Sequence, residues 1–103
     1  MDDVRIHSGT LLADLILPHA QSIKDRRQAL RALVQRLVNR RLAVAQVGPP
    51  DLQQRVFLIV GAVAGSGSGL DEQLDAAERV IYASEFEVAD LRRDVRQESF
   101  PSL

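Results

Sequence analysis

A chain of 103 residues with 46% apolar content is long enough for one hydrophobic core and too apolar for general disorder. The formal net charge is −1, from 13 basic and 14 acidic residues. That balance excludes a uniformly basic nucleic-acid coat and leaves only a local patch for polyanion contact; the lack of Cys excludes disulfides, thiolate metal sites and cysteine nucleophiles.

Residues 4 to 17 read as the first strand. Val4, Ile6 and Ser8 alternate with Arg5 and His7, TLLADLIL follows, and Pro18 closes the run because it offers no N–H to a ladder. Ser22 and Asp25 have capping-box spacing, so a helix is expected from about residue 23 to Asn39–Arg41. Its apolar face is expected along Ile23, Leu30, Val34 and Leu37, with Ala29, Leu33 and Val38 at the margins. Leu42 to Val47 suits a second strand, and Gly48-Pro49-Pro50-Asp51 breaks the chain.

Val56 to Ala64 is the strongest strand signal, with Gly61 inside it marking a bulge or a close approach. Ser68 and Asp71 repeat the capping spacing after the GSGSG loop. Leu70, Leu74, Ala77, Val80 and Ile81 then line a second helix ending near Ser84. Phe86 onward alternates as the last strand, reaching towards Val95.

The order β-α-β-β-α-β is that of the split βαβ, ferredoxin-like fold: a four-stranded antiparallel sheet with two helices on one face. It occupies residues 4–96 as a single domain, leaving 97–103 as a flexible tail. Because strands one and three are apolar throughout, the uncovered face needs a partner, and a homodimer is expected. The opening MDDVRIHSG lacks the pattern of a signal peptide, and the longest apolar run falls far short of the roughly 20 residues that span a bilayer. A cytoplasmic location without a membrane partner follows as the expectation.

Three phrases carry a resemblance. SIKDRRQALRALVQRL (Ser22 to Leu37), NRRLAVAQV (Asn39 to Val47) and DLQQRVFLIVGAV (Asp51 to Val63) resemble, in this order, the YlxP-like family of small bacterial proteins. That family carries S-L-K-E-K-R at the first helix, a V-A-E-V type strand and a D-L-W-Q-R phrase before the third strand. Here Ile23 and Arg26 replace a common Leu and Lys, Gln46 stands where Glu is usual, and Gln53 stands where Trp is usual. The resemblance implies a ferredoxin-like architecture and a genetic neighbourhood of ribosome maturation and translation initiation.

On the first helix Lys24, Arg27 and Arg31 fall within roughly 60° of one another and form a basic edge. Such an edge suits phosphates, and equally suits a solvated flank. With Gln54 and Arg55 these residues are the expected contacts for RNA, a ribosomal particle or another partner. Arg26 falls beside the apolar stripe, so a structural ion pair is expected with Asp51, or else with Asp14. Asp51 and Arg55 also fit a loop clamp, Asp51 capping backbone N–H groups and Arg55 pairing across the sheet.

Catalytic chemistry has little support. His7 and His19 lie at opposite ends of one strand, Ser66 and Ser68 have no evident base, and GSGSG lacks the G-K-[ST] ending of a P-loop. Phe57 alone makes no aromatic stacking platform. The chain is therefore expected to be no enzyme and to use no cofactor or metal. Its role is expected to be that of a ribosome- or RNA-associated accessory factor. The alternatives are a homodimeric interaction module without a nucleic-acid role, and a small-molecule protein or enzyme with its site between protomers.

Overall fold

A computed structural model describes residues 4–101. The elements are β1 (Val4–Ile16), α1 (Ile23–Val38), β2 (Ala43–Val47), β3 (Arg55–Ala64), α2 (Gly67–Tyr82) and β4 (Glu87–Phe100). The strands form one antiparallel sheet in the order β2-β3-β1-β4, and both helices pack on one face of it. This is the ferredoxin-like arrangement.

Period-two alternation decides which residues face the helices. Leu11, Ala13 and Leu15 of β1 and Val56, Leu58, Val60 and Ala62 of β3 are buried beneath α1 and α2. Leu70, Leu74, Ala77, Val80 and Ile81 of α2 and Ala29, Leu33 and Leu37 of α1 close the core from above. Each large side chain so buried contributes roughly 1.5–3 kcal/mol. Gly9 lets α2 settle: a Cβ there would lie 2.8 Å from Leu74 Cδ1 and 3.2 Å from the Asp94 carbonyl oxygen.

The apolar face of α1 is turned from the expected stripe. Its buried line is Arg26, Ala29, Leu33 and Leu37, while Leu30 and Val34 are half-buried and Val38 is exposed. Counting Arg26 as polar displaces the expected centre towards Leu30. Ser22 caps the helix as expected, its Oγ accepting from the Asp25 N–H at 3.1 Å, while the Asp25 carboxylate accepts from the Gln21 N–H. The C-terminal end closes by N–H donation from Leu42 to Leu37 and from Arg41 to Val38, a Schellman pair. Arg41 holds φ +63 there, where glycine is usual.

Two further expectations need correction. The second helix is capped by Ser66, not Ser68: Ser66 Oγ accepts from the Gly69 N–H at 3.0 Å, so α2 begins at Gly67. The last strand does not end near Val95. Gln97 to Phe100 pair with His7 to Val4, because β1 extends past the end of β3 and offers them a ladder. Residues 102 and 103 of the expected tail, and residues 1–3 of the opening MDD, lie outside the described residues.

The expected Arg26–Asp51 ion pair is not formed. Arg26 is 2% exposed, and its Nη2 donates to the Pro50 carbonyl oxygen at 2.5 Å. Among the described residues no carboxylate lies within ion-pair distance of it, and its Nε and Nη1 have no protein acceptor. Asp51 is exposed, and Asp14 is engaged elsewhere. The loop's backbone carbonyl, not its carboxylate, meets the guanidinium.

Asp14 and Arg55 tie β1 to β3 by a two-pronged pair, Nε to Oδ1 at 2.9 Å and Nη2 to Oδ2 at 2.6 Å. The hydrogen bonds from Arg55 hold the Asp14 carboxyl below its ordinary range. A depressed folded-state value means stability that is present above the unfolded value of about 4 and is lost as pH falls through the folded one. The melting midpoint should therefore drop on acidification below about pH 4. Asp14→Asn should show a smaller drop over that window, and equal drops would remove this pair from the acid response.

Arg26 gives a second expectation. Arg26→Met removes two orphan donors along with one good bond, so urea denaturation should find stability unchanged or raised by up to about 2 kcal/mol. Arg26→Ala should lower it by about 1–3 kcal/mol through the void it leaves. A loss above about 1 kcal/mol for the Met variant would show that the guanidinium is well satisfied in solution.

Candidate interaction face

The uncovered face of the sheet is fixed by the same alternation. The ladder registers place Ala45, Ile59, Leu12 and Arg92 side by side in one row across β2, β3, β1 and β4. The next row towards the β1 N-terminus is Ala43, Gly61, Thr10 and Asp94, followed by Val63, Ser8 and Arg96. On the other side lie Val47, Phe57, Asp14 and Asp90, then Arg55, Ile16 and Glu87.

Three strands of this face are mainly apolar and the fourth is charged. Leu12 is 41% exposed and Val63 71% exposed, values that set them apart from the buried row beneath the helices. The β4 column alternates in sign: Asp90, Arg92, Asp94, Arg96, Glu98. Within that column Arg92 pairs with Asp90 at 2.9 Å and Arg96 with Glu98 at 3.3 Å. Arg93 points to the helix side instead and bridges to Asp75 and Glu78 of α2, which keep its guanidinium firmly protonated.

The relief is uneven. Leu12 and Ile59 put the large side chains of one row on this face and form its ridge. Gly61, Ala43 and Thr10 of the next row line an open trough of about 550 Å³ that also reaches Val63 and Gln73 of α2. Arg41, Arg96 and Asp94 stand at its rim. Gly61 marks neither a bulge nor an approach of the helix: both ladders run through it without a shift, and the one irregularity of the sheet lies between Asp14 and Leu15 on the β4 side.

The remaining expected contact residues separate into two groups. Lys24, Arg27 and Arg31 are exposed on α1, away from the sheet, and among the described residues no carboxylate pairs with them. Arg27 and Arg31 border a shallow groove with Leu30 and Val34. Gln54 and Arg55 are not with them. Gln54 Nε2 donates to the Ala20 carbonyl at 3.3 Å and Gln53 Nε2 to the same oxygen at 3.1 Å, while the Leu17 N–H donates to the Gln54 carbonyl. The DLQQR stretch is thus a clamp on the β1–α1 turn, made by Gln53 and Gln54 where Asp51 was expected to do it. Arg55 pairs across the sheet as the clamp reading expected, and its guanidinium lies 5.2 Å from the Phe57 ring centroid.

The trough was not visible in the sequence, although the glycine that makes it was. Among the described residues no group of three or more His, Asp or Glu is placed to hold a metal ion, and no helix is long and apolar enough to cross a membrane. His7 sits against Gly67 at the start of α2, and His19 lines a separate recess with Asp25 and Glu85.

No curated protein matches the chain. Among solved structures it is similar to a de novo designed protein, Foldit4, with a TM-score of 0.46 and 9% identity over 91% of this chain and 96% of that one. A family model described as "Protein of unknown function (DUF503)" matches residues 9–93. The match spans most of the chain and agrees with the resemblance carried by its three phrases, so the protein belongs to this YlxP-like family.

Proposed function

We propose that the protein is a non-catalytic assembly module of the cytoplasm that works as a homodimer, with the open sheet face as its contact. The observation that supports this is the continuous apolar surface of β2, β3 and β1, from Val47 and Phe57 through Ile59 and Leu12 to Val63. Monomeric proteins seldom leave such a patch to water. Over the His7–Ile16 ladder, at ~3.3 Å per residue, three strands ~4.8 Å apart, with β2 beside half their length, make a plane of roughly 550 Å² before side-chain relief is counted. That is of the order of the ~800 Å² per partner buried in a standard interface. Light scattering at micromolar concentration should report about twice the 11.4 kDa chain mass; a monomer at every concentration, without aggregation, would overturn this reading.

A second reading rests on α1. Lys24, Arg27 and Arg31 carry three charges on its outer side with which no carboxylate among the described residues pairs, which suits contact with phosphates of RNA or of a ribosomal particle. Gln54 and Arg55 are occupied within the chain, so this contact would be narrower than the sequence suggested. If it exists, wild-type protein co-sediments with ribosomal particles at low salt and is released as salt rises. Reversing the three residues to Glu should abolish co-sedimentation while circular dichroism and the melting midpoint stay unchanged. A triple variant that still co-sediments rules this surface out.

A further inference from the structure

Gly61 has no reason within its own chain. A glycine in a strand interior costs roughly 0.5–1 kcal/mol relative to alanine, and is usually explained by a bulge, a positive φ or a close neighbour. Here the ladders are regular on both sides, and its φ is not among the positive ones. A Cβ added to it would meet only Ala43 Cβ at an ordinary 3.8 Å. Gly9, on the neighbouring strand but facing the helices, is the contrast, since Leu74 and the Asp94 carbonyl leave it no room. The space above Gly61 is kept open towards the outside of the molecule.

We infer that this trough receives the Leu12–Ile59 ridge of a second copy, the two sheets packing face to face about a two-fold axis that runs across the strands between the Leu12 and Thr10 rows. The inference rests on the homodimer reading and gives it a register. Such an axis keeps each strand over its own counterpart and exchanges rows. Ile59 comes over the partner copy's Gly61, Leu12 over Thr10, and Ala45 over Ala43. One row further out Phe57 meets Val63, and beyond that Ile16 meets Ile6. An isologous contact makes every such pair twice.

The charged column argues for a second copy over any other occupant. The same operation sets Arg92 against Asp94 and Asp90 against Arg96, so opposite charges meet at both inner positions, while Glu87 falls against Glu98 in the outermost row. An axis running along the strands would instead lay the charged β4 over β2 and set Arg92 on Ala45, leaving charge against an apolar surface. An axis moved by half a row, onto the Thr10 row or the Leu12 row itself, would pair Arg92 with Arg96 or Asp90 with Asp94. One moved a full row towards Ser8 would set Asp94 on Arg96 and Arg92 on Glu98, but would take Ile59 away from Gly61. The alternating signs exclude the half-row positions, and the fit of Ile59 over Gly61 chooses among the positions that remain. The trough's small floor is then the socket for the ridge, and the β4 charges fix its position while the apolar rows supply the driving force.

The test uses sedimentation and light scattering on the full chain. Gly61→Leu fills the socket and should leave a monomer with unchanged circular dichroism, because the space it enters is vacant in the protomer. Leu12→Ala with Ile59→Ala trims the ridge and should raise the dimer Kd at least about tenfold. Mixed with the Gly61→Leu chain, this trimmed chain should form a heterodimer: its shortened ridge faces the filled socket, and its own socket accepts an intact ridge. A charge arm is independent of the socket. Asp94→Arg should weaken pairing, and adding Arg92→Asp to it should restore pairing. A wild-type monomer would overturn the dimer reading and this register with it. A Gly61→Leu chain that is folded and still dimeric would overturn the register alone. Should that variant misfold, the charge arm decides: no rescue by the double variant overturns the register.

Discussion

The β1–β3 ladder is the constraint on which the rest depends. Leu11, Ala13 and Leu15 turn to the helices only if Leu12, Asp14 and Ile16 turn away, because successive side chains of a strand cannot share a face. Two helices cover one side of the sheet. An apolar residue on the other side is therefore a direct product of strands that are apolar at both parities. The chain spends Asp14 and Arg55 on closing one end of that side with a bidentate pair, and leaves the middle bare.

Placement of α1 shows a different balance. The helix lies with Arg26 in its buried line, at the cost of two donors without protein acceptors, because that orientation seats Ala29, Leu33 and Leu37 on the sheet together. Three well-packed apolar side chains outweigh one imperfectly satisfied guanidinium, whose long stem itself adds apolar contact. The Pro50 carbonyl recovers part of the loss. The 48–54 loop is thereby held to α1 by Arg26 and to the β1–α1 turn by Gln53 and Gln54, so a segment without regular structure gains three side-chain anchors.

Most of the architecture was legible in the sequence because its signals are local. Pro18, Pro49 and Pro50 delimit elements, Ser22 caps α1, and the apolar run of β3 marks a central strand. What was not legible depends on tertiary registration. Which serine caps α2 depends on where the chain leaves β3, and GSGSG offers two serines at usable spacing. The length of β4 depends on how far β1 extends beyond β3, since residues 97–100 have little strand character of their own until Val4 to His7 lie beside them. The basic edge of Lys24, Arg27 and Arg31 was evident from helical spacing alone. The separation of Gln54 and Arg55 from it was not, because that required knowing that Ala20 and Asp14 lie within reach. Gly61 could be seen as unusual, but only the ladders on both sides show that nothing inside the molecule accounts for it.

Strand β1, the first element of the chain, has β3 on one side and β4, the last element, on the other. Its pairing from Val4 with Phe100 to Ile16 with Glu87 joins nearly the whole length of the polypeptide. Contacts of such sequence separation close large loops and make folding slower than in a helical bundle of the same size. During synthesis, β1, α1, β2 and β3 emerge first and can assemble as a three-stranded sheet with one unpaired central edge. That edge, Val4 to Ile16, would be long and hydrophobic until residues 87–100 arrive, the kind of surface on which a chain pairs with a neighbour instead of itself. The alternating charges of β4 then have a second physical meaning. Once in place, this strand turns the most adhesive edge of the half-made protein into one that carries a charge at nearly every other position.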